Sequence, residues 1–212
     1  MKTKKLNLCC GFDYKQGWIN ADHKLAINKK DVEVDLENLP LPFEDNTFDY
    51  IYSSHTLEHI NREIMGVFFE LWRILKPNGI LEIRVPHFSH TSALASPGHK
   101  KVFSIRSFFW IFEKEPFYFP SGSPLLKKPL FKKVEAELLY RRKNNLTNNM
   151  HTNNKPYIFV SNIIDYFANL NINFCERVWC YWVGGFTEMK IVLKKIPQNI
   201  TLNKNYYDII IN

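Results

Sequence analysis

Apolar residues fall in short blocks along the first ninety positions. Leu6–Cys10 has the continuous apolar pattern of a buried strand and ends at Gly11. Trp18–Ala21, closed by Asp22, and Asp31–Val34, closed by Asp35, read as two more strands, and Phe48–Tyr52 as a fourth. Leu39-Pro40-Leu41-Pro42-Phe43 is a loop, because its prolines lack donors, and Glu44-Asp45-Asn46-Thr47 carries turn chemistry. From Asn61 the period changes. Ile64, Val67, Phe68, Leu71 and Leu75 recur at three and four residues, which predicts a helix with Asn61 as N-cap and Glu63 in its first turn. Lys76-Pro77-Asn78-Gly79 stops it, and Ile80–Val85 is a fifth strand ended by Pro86.

Beyond His87 the pattern loosens. Ser104–Phe112 and Pro156–Leu170 read as helices, and Leu125–Arg142 mixes basic pairs with apolar residues. Asn144–Asn154 is Asn-rich and reads as a mobile loop. Asn173–Trp182 and Thr187–Lys195 flank Gly184-Gly185 and predict a closing antiparallel hairpin. Strands alternating with crossovers predict a parallel α/β sheet, whose ligands bind beyond the carboxyl ends of the strands. That rule selects residues 9–13, 22, 35, 53–55 and 86–90. One domain is expected over 1–196, with 87–155 as an acceptor-binding insertion or lid and 197–212 as a tail.

The 212 residues carry a formal net charge of +7. Between Lys100 and Lys143 eleven Lys/Arg face four acids, an excess equal to that of the whole chain. A basic segment on a balanced scaffold points to an anionic partner for that segment, such as a phosphate or pyrophosphate group, or to a solvated face. Phe103–Phe119 holds eight aromatics, consistent with a lid packed over the sheet, a sugar-stacking wall or a membrane-touching surface. No apolar stretch approaches the roughly 20 residues that span a bilayer. The apolar run after the basic N-terminus, Leu6–Gly11, is too short for a signal peptide. Cys9, Cys10, Cys175 and Cys180 match neither a disulfide nor a common zinc spacing. A cytoplasmic chain with free thiols, possible contact with a membrane surface and no bound metal is the expectation.

A strand entering a glycine turn, with an acid ending the next strand about ten residues later, is a nucleotide-site layout: backbone N–H groups approach the ligand and the acid accepts ribose hydroxyls. Here Gly11 supplies the turn and Asp22 the acid. Leu6–Gly11 and Gly17-Trp18-Ile19-Asn20-Ala21-Asp22 resemble the first two motifs of the class I S-adenosylmethionine-dependent methyltransferases, in their small type-11-like subgroup. Asp35-Leu36 with Leu41-Pro42-Phe43 resembles the third motif, and Phe48–His55 with Leu57-Glu58-His59 the fourth. Leu71–Gly79 is similar to that family's helix and turn before strand five, and Pro97-Gly98-His99-Lys100 to a segment of a short bacterial subgroup often associated with surface glycans.

The resemblance implies a Rossmann-like, seven-stranded, mostly parallel sheet with a C-terminal antiparallel hairpin and an insertion after strand five. It implies S-adenosylmethionine as cofactor, with Cys9, Gly11 and Phe12 beneath the methionine part, Asp22 on the ribose, Asp35 and Leu36 on the adenine, and Ser54 and His55 beside the sulfonium. Cys9 stands where the family usually has glycine. Methyl transfer needs positioning, and a hydroxyl acceptor needs a base. His87, His90 and His99 are the candidates, His59 being read as a helix-start contact; the three fit no familiar metal spacing. O-methylation of a sugar or other small polar acceptor, phosphorylated or lipid-linked, is the expected function. RNA methylation and a non-catalytic binding protein that kept the fold are the alternatives.

Overall fold

The computed structural model describes residues 3–26, 28–112, 129–141 and 155–198. Its strands are β1 (Lys5–Leu8), β2 (Ile19–Asp22), β3 (Val32–Glu33), β4 (Phe48–Ser54), β5 (Leu75–Val85), β6 (Phe131–Leu139) and β7 (Glu188–Lys195). They form one sheet in the order β3-β2-β1-β4-β5-β7-β6. The pairs from β3 to β5 are parallel, and β7 runs antiparallel to both β5 and β6. This is the expected Rossmann-like α/β sheet, mostly parallel with an antiparallel end.

The central strands are buried on both faces, which explains their continuous apolar runs. Leu6 and Leu8 of β1 are fully buried, and so is the intervening Asn7, whose amide donates to Asn20 Oδ1 at 2.9 Å and to the Asp13 carbonyl at 2.6 Å. The helix of the 3.6-residue stripe is α1 (Ile64–Ile74), and nearly all of it is buried. It starts two residues later than expected, with Glu63 rather than Asn61 at the N-cap position. Asn61 makes no side-chain cap; its N–H and that of Arg62 donate instead to the Glu37 carboxylate at 2.7 and 3.0 Å. Lys76–Gly79 stops α1 without forming a separate turn. The chain enters β5 at Leu75 and absorbs the break as an irregular register against β4, with Asn78 at φ +64°. Gly79 is required there, since a Cβ would stand 2.9 Å from the Lys76 carbonyl oxygen.

The proline loop is clamped from α1. The buried Glu70 accepts the Leu41 N–H at 2.7 Å and both N–H faces of Arg73, and Arg73 reaches Asp45 at 2.6 Å. Past β5 come α2 (Thr91–Ala95), a 3-10 turn at Ile105–Phe108 and α3 (Phe109–Phe112), matching the helix expected over Ser104–Phe112. Phe103, Phe108 and Phe112 are buried in the core, as a packed cover requires. Phe117, Tyr118 and Phe119 lie outside the described residues, as do Lys127, Lys128, Arg142 and Lys143 of the basic segment, Asn144–Asn154 and the tail beyond Gln198.

Two expectations are corrected. Asn173–Trp182 is not a strand. After α4 (Lys155–Leu170) it continues as α5 (Ile172–Phe174), a π turn (Cys175–Trp179) and α6 (Cys180–Trp182). Its buried residues are Cys175, Glu176 and Cys180, a spacing that follows a helical face rather than strand alternation. The strand that closes the sheet beside β7 is therefore β6, which comes from within residues 87–155, so that part of the segment belongs to the sheet. Gly184-Gly185 is not a hairpin turn. Gly185 (φ +85°) passes so close to Ser89 that a Cβ would stand 2.2 Å from its carbonyl oxygen.

Among the described residues no helix is long and apolar enough to cross a membrane. Phe68 is the joint between α1 and the later segments, with its ring 5.8 Å from Phe108, 5.6 Å from Trp110 and 6.4 Å from Phe131. Phe68→Ala should lower unfolding free energy by about 3–5 kcal/mol in urea titration, the cost of emptying a fully packed aromatic site. A loss below about 1 kcal/mol would mean that these segments do not pack on α1.

Candidate functional site

The sheet's connections leave in opposite directions on either side of the β1–β4 pair, so the crevice of the fold opens at the carboxyl ends of β1, β2 and β4. β1 ends in a tight turn. Cys9 and Gly11 both have positive φ, +53° and +51°, and the Cys10 N–H donates to the Ala21 carbonyl at 3.1 Å. Open space lies beside Gly11, where an added Cβ would meet nothing within 4 Å. Phe12 follows, 79% exposed. Asp22, the last residue of β2, accepts the Gly11 N–H on Oδ2 at 2.7 Å and the His23 N–H on Oδ1 at 2.8 Å. The acid is thus held at the turn with lone pairs to spare.

Cys9 occupies a conformation that glycine takes without strain and other L-residues take at a cost. Burial, the Asp22 charge next, pushes its thiol well above the ordinary range, so it is a neutral, weakly polar surface. Burial and Asp22 likewise push Cys10 up to about 11. All four cysteines are free thiols.

Asp35 follows β3. Its Oδ1 accepts the Glu37 N–H at 2.9 Å and its Oδ2 accepts the Asn38 amide at 2.6 Å, with His23 Nε2 at 3.7 Å. Burial pushes its carboxyl up, but these hydrogen bonds and the neighbouring His23 outweigh it and hold the group below its ordinary value. Leu36 is buried, and its N–H meets no acceptor among the described residues. At the end of β4 the buried Ser53 Oγ is also unpartnered, next to the half-buried Ser54. The open space at Gly11, the orphaned Leu36 N–H and the orphaned Ser53 hydroxyl lie after β1, after β3 and at the end of β4, on the carboxyl edge of one sheet. A nucleoside-type cofactor that presents hydroxyls and ring nitrogens fits such a donor and acceptor set.

His55 turns the chain at φ +53°, its N–H donating to the Arg84 carbonyl at 2.8 Å. Its ring lies between two buried carboxylates, with Nε2 2.8 Å from Glu188 Oε2 and Nδ1 3.3 Å from Glu58 Oε1. Glu188 in turn receives Arg84 at 3.1 Å, Arg84 pairs with Glu82 at 2.8 Å, and Tyr50 donates to Glu82. A charged line therefore runs from Glu82 and Arg84 on β5 through Glu188 on β7 to His55 after β4.

The three further histidines stand in different settings. His87 is fully buried. Ser89 N–H donates to its Nδ1 at 3.4 Å, so Nε2 carries the proton and donates to Glu176 Oε1 at 3.0 Å. Both nitrogens are occupied, and the ring ties β5 to the π turn rather than facing the crevice. His90 caps α2: Ser92 N–H donates to Nδ1 at 3.2 Å, leaving Nε2–H as a donor. Burial holds His90 below its ordinary value, so it is neutral at pH 7. His99 has the opposite tautomer. Its Nδ1–H donates to the Ala93 carbonyl at 3.0 Å, leaving the Nε2 lone pair available. Its ring packs edge-on against His59 at 4.8 Å between centroids. His59 belongs to the 3-10 turn Leu57–His59 ahead of α1 and contacts Gly98 rather than the helix start.

Sequence reasoning assigned no role to Glu58, Glu176 or Glu188. Each is a buried acid, and each has a polar as well as an apolar neighbour in sequence, in Leu57-Glu58-His59, Cys175-Glu176-Arg177 and Thr187-Glu188-Met189, so no local pattern marked it.

Comparison with known proteins gives a consistent picture. Residues 2–83 match a family described as methyltransferase domain. Sterol 24-C-methyltransferase erg6 of Schizosaccharomyces pombe is 34% identical over 79 residues, covering 37% of this chain and 21% of that protein. A demethylmenaquinone methyltransferase of Listeria welshimeri is 30% identical over 125 residues, covering 48% of this chain and 50% of that protein. The chain thus spans half or less of these relatives. Among solved structures, phosphoethanolamine N-methyltransferase 2 of Haemonchus contortus, in complex with S-adenosyl-L-methionine, superposes with TM-score 0.53 at 16% identity. That match covers 93% of this chain and 50% of that one, and the likeness is one of fold.

The left-handed Cys9 yields a direct check. Cys9→Gly should be more stable than Cys9→Ala by about 1 kcal/mol in chemical denaturation, because both lose the thiol and only glycine relieves the backbone. Equal stabilities would mean that Cys9 is not held at positive φ.

Proposed function

We propose that the chain is a class I S-adenosylmethionine-dependent methyltransferase that transfers a methyl group from S-adenosylmethionine to a small polar acceptor; the match of residues 2–83 to a methyltransferase-domain family and the fold of the sheet support this reading. The observation that carries the reading is the Asp22 carboxylate tied to the Gly11 N–H at 2.7 Å beside open space. Asp22 would accept the ribose hydroxyls, and the Leu36 N–H would meet an adenine ring nitrogen, with Asp35 as its polar neighbour. Cys9, Gly11 and Phe12 would line the methionine part, and Ser54 and His55 the side toward the methyl group. When bound, the cofactor supplies a methyl on a positive sulfonium. The protein's part is to orient the acceptor and to receive its proton.

For that proton the geometry favours His99, whose Nε2 lone pair is fixed by the Nδ1–H bond to Ala93. His90 presents Nε2–H and suits a hydrogen bond to an acceptor oxygen. His87 acts by holding the loop after β5. A hydroxyl of a sugar is the acceptor that this pair of tautomers serves best, one ring donating and one accepting.

A second reading keeps the chemistry and places the acceptor on a lipid. α4 exposes Phe159, Tyr166, Phe167 and Leu170, and Trp182 nearby is 77% exposed. The two curated relatives are named for a sterol and for demethylmenaquinone.

Calorimetric titration with S-adenosylmethionine and S-adenosylhomocysteine should show micromolar binding by the native chain. Asp22→Ala should weaken it at least about tenfold, the loss of a charged hydrogen bond. No binding at millimolar ligand would sink the methyltransferase reading for this chain. For the lipid reading, native protein should co-sediment with phospholipid vesicles and Phe167→Ser/Trp182→Ser should not; equal recovery of both in the supernatant would remove it.

A further inference from the structure

Glu58 carries a buried carboxylate that the fold leaves without a hydrogen bond. The residue is 1% exposed, and neither oxygen has a hydrogen-bond partner among the described residues. His55 Nδ1 stands 3.3 Å from its Oε1, within ion-pair range but outside hydrogen-bond geometry. Burying an ionised carboxylate without such partners costs several kcal/mol, so a site of this kind calls for a cation.

Two imidazoles stand beside it. One ligating atom from each of Glu58, His59 and His99 lies within 4.8 Å of the other two. In both rings Nδ1–H donates to a backbone carbonyl, His59 to Gly98 at 3.1 Å and His99 to Ala93 at 3.0 Å. This is the arrangement by which metal-binding histidines are oriented: the bond fixes the tautomer and leaves Nε2 as the ligating nitrogen. The backbone fixes the rest. Lys100 and Lys101 N–H groups both donate to the Glu58 carbonyl, at 2.6 and 3.1 Å, which presses the Pro97–Lys100 loop onto the Leu57–His59 turn. The Lys101 ammonium, which follows that loop, is taken up by the carbonyls of Ile60 and Asn61 at 2.8 and 3.1 Å.

We propose that Glu58, His59 and His99 form a binding site for one divalent transition-metal ion at the acceptor side of the crevice. Two imidazoles and one carboxylate suit zinc and its neighbours in the first transition row. Ligands around such an ion stand about 3.4 Å apart, a contraction that side-chain rotation supplies, and three protein ligands leave a position open for an acceptor oxygen. In the loaded protein His99 Nε2 is a ligand rather than a base. The site rests on the functional reading only for its place beside the acceptor; the binding itself does not.

The test uses the full chain, freed of metal by a chelator and titrated with Co²⁺ without cofactor. One equivalent should bind with visible absorption of a four- or five-coordinate nitrogen–oxygen site, and Zn²⁺ should displace it. His59→Ala, a change at an exposed residue that leaves the core intact, and His99→Ala should each weaken binding at least about tenfold, with far-UV circular dichroism unchanged. Failure of stoichiometric uptake, equal affinity in both variants, or a near-ultraviolet thiolate band placing the ion on cysteine would overturn the site. Because no cofactor is present, these outcomes are independent of the S-adenosylmethionine titration.

Discussion

The pairing of β1 with β2 on one side and β4 on the other is the constraint on which the rest depends. Parallel strands need crossovers, and crossovers that leave a central strand in opposite directions cannot cover the carboxyl ends they depart from. The turn after β1, the acid ending β2 and the serines ending β4 therefore meet at one edge. The register does the positioning: Leu8 lies beside Ala21 and Ser53, so Cys9–Gly11, Asp22 and Ser54 emerge together. Asp22 then closes the arrangement by accepting the Gly11 N–H.

Beneath this edge runs a line of charge that no single strand contains. Glu188 on β7, Arg84 and Glu82 on β5 and His55 after β4 alternate in sign when His55 is protonated, and they end at Glu58. Buried charges are tolerated when each is paired and hydrogen-bonded, and Glu58, at the end of this line, faces His55 at 3.3 Å without a hydrogen bond on either oxygen. The antiparallel β7 is what brings Glu188 to His55, over 133 residues of separation. The late strand thus completes the site as well as the sheet. Glu58, whose two oxygens accept no hydrogen bond among the described residues, is where we place the cation.

Much of this was legible in the sequence because the early elements are local. Each of β1, β2, β4 and α1 shows its own period, and Asp22 follows directly from the end of a strand. What the sequence hid depends on contacts between distant segments. Asn173–Trp182 has strand-like composition, yet it coils as a helix because Cys175, Glu176 and Cys180 must share one buried side, with Glu176 receiving His87 Nε2 and the Ile105 N–H. β6 was obscured by its edge position, where Lys132, Lys133 and Val134 are all exposed. The same limit holds at the site. His87, His90 and His99 look alike in sequence, and only their Nδ1 partners, Ser89, Ser92 and Ala93, tell a buried tie from a donor and from a lone pair.

Amide hydrogen exchange with and without S-adenosylhomocysteine tests most directly whether the edge formed by β1, β2 and β4 holds the cofactor. Slowed exchange should be confined to residues 9–13, 22–23, 34–36 and 53–56, with Leu36 prominent because its N–H gains a partner. Protection elsewhere, or none at saturating ligand, would contradict the assignment of this edge.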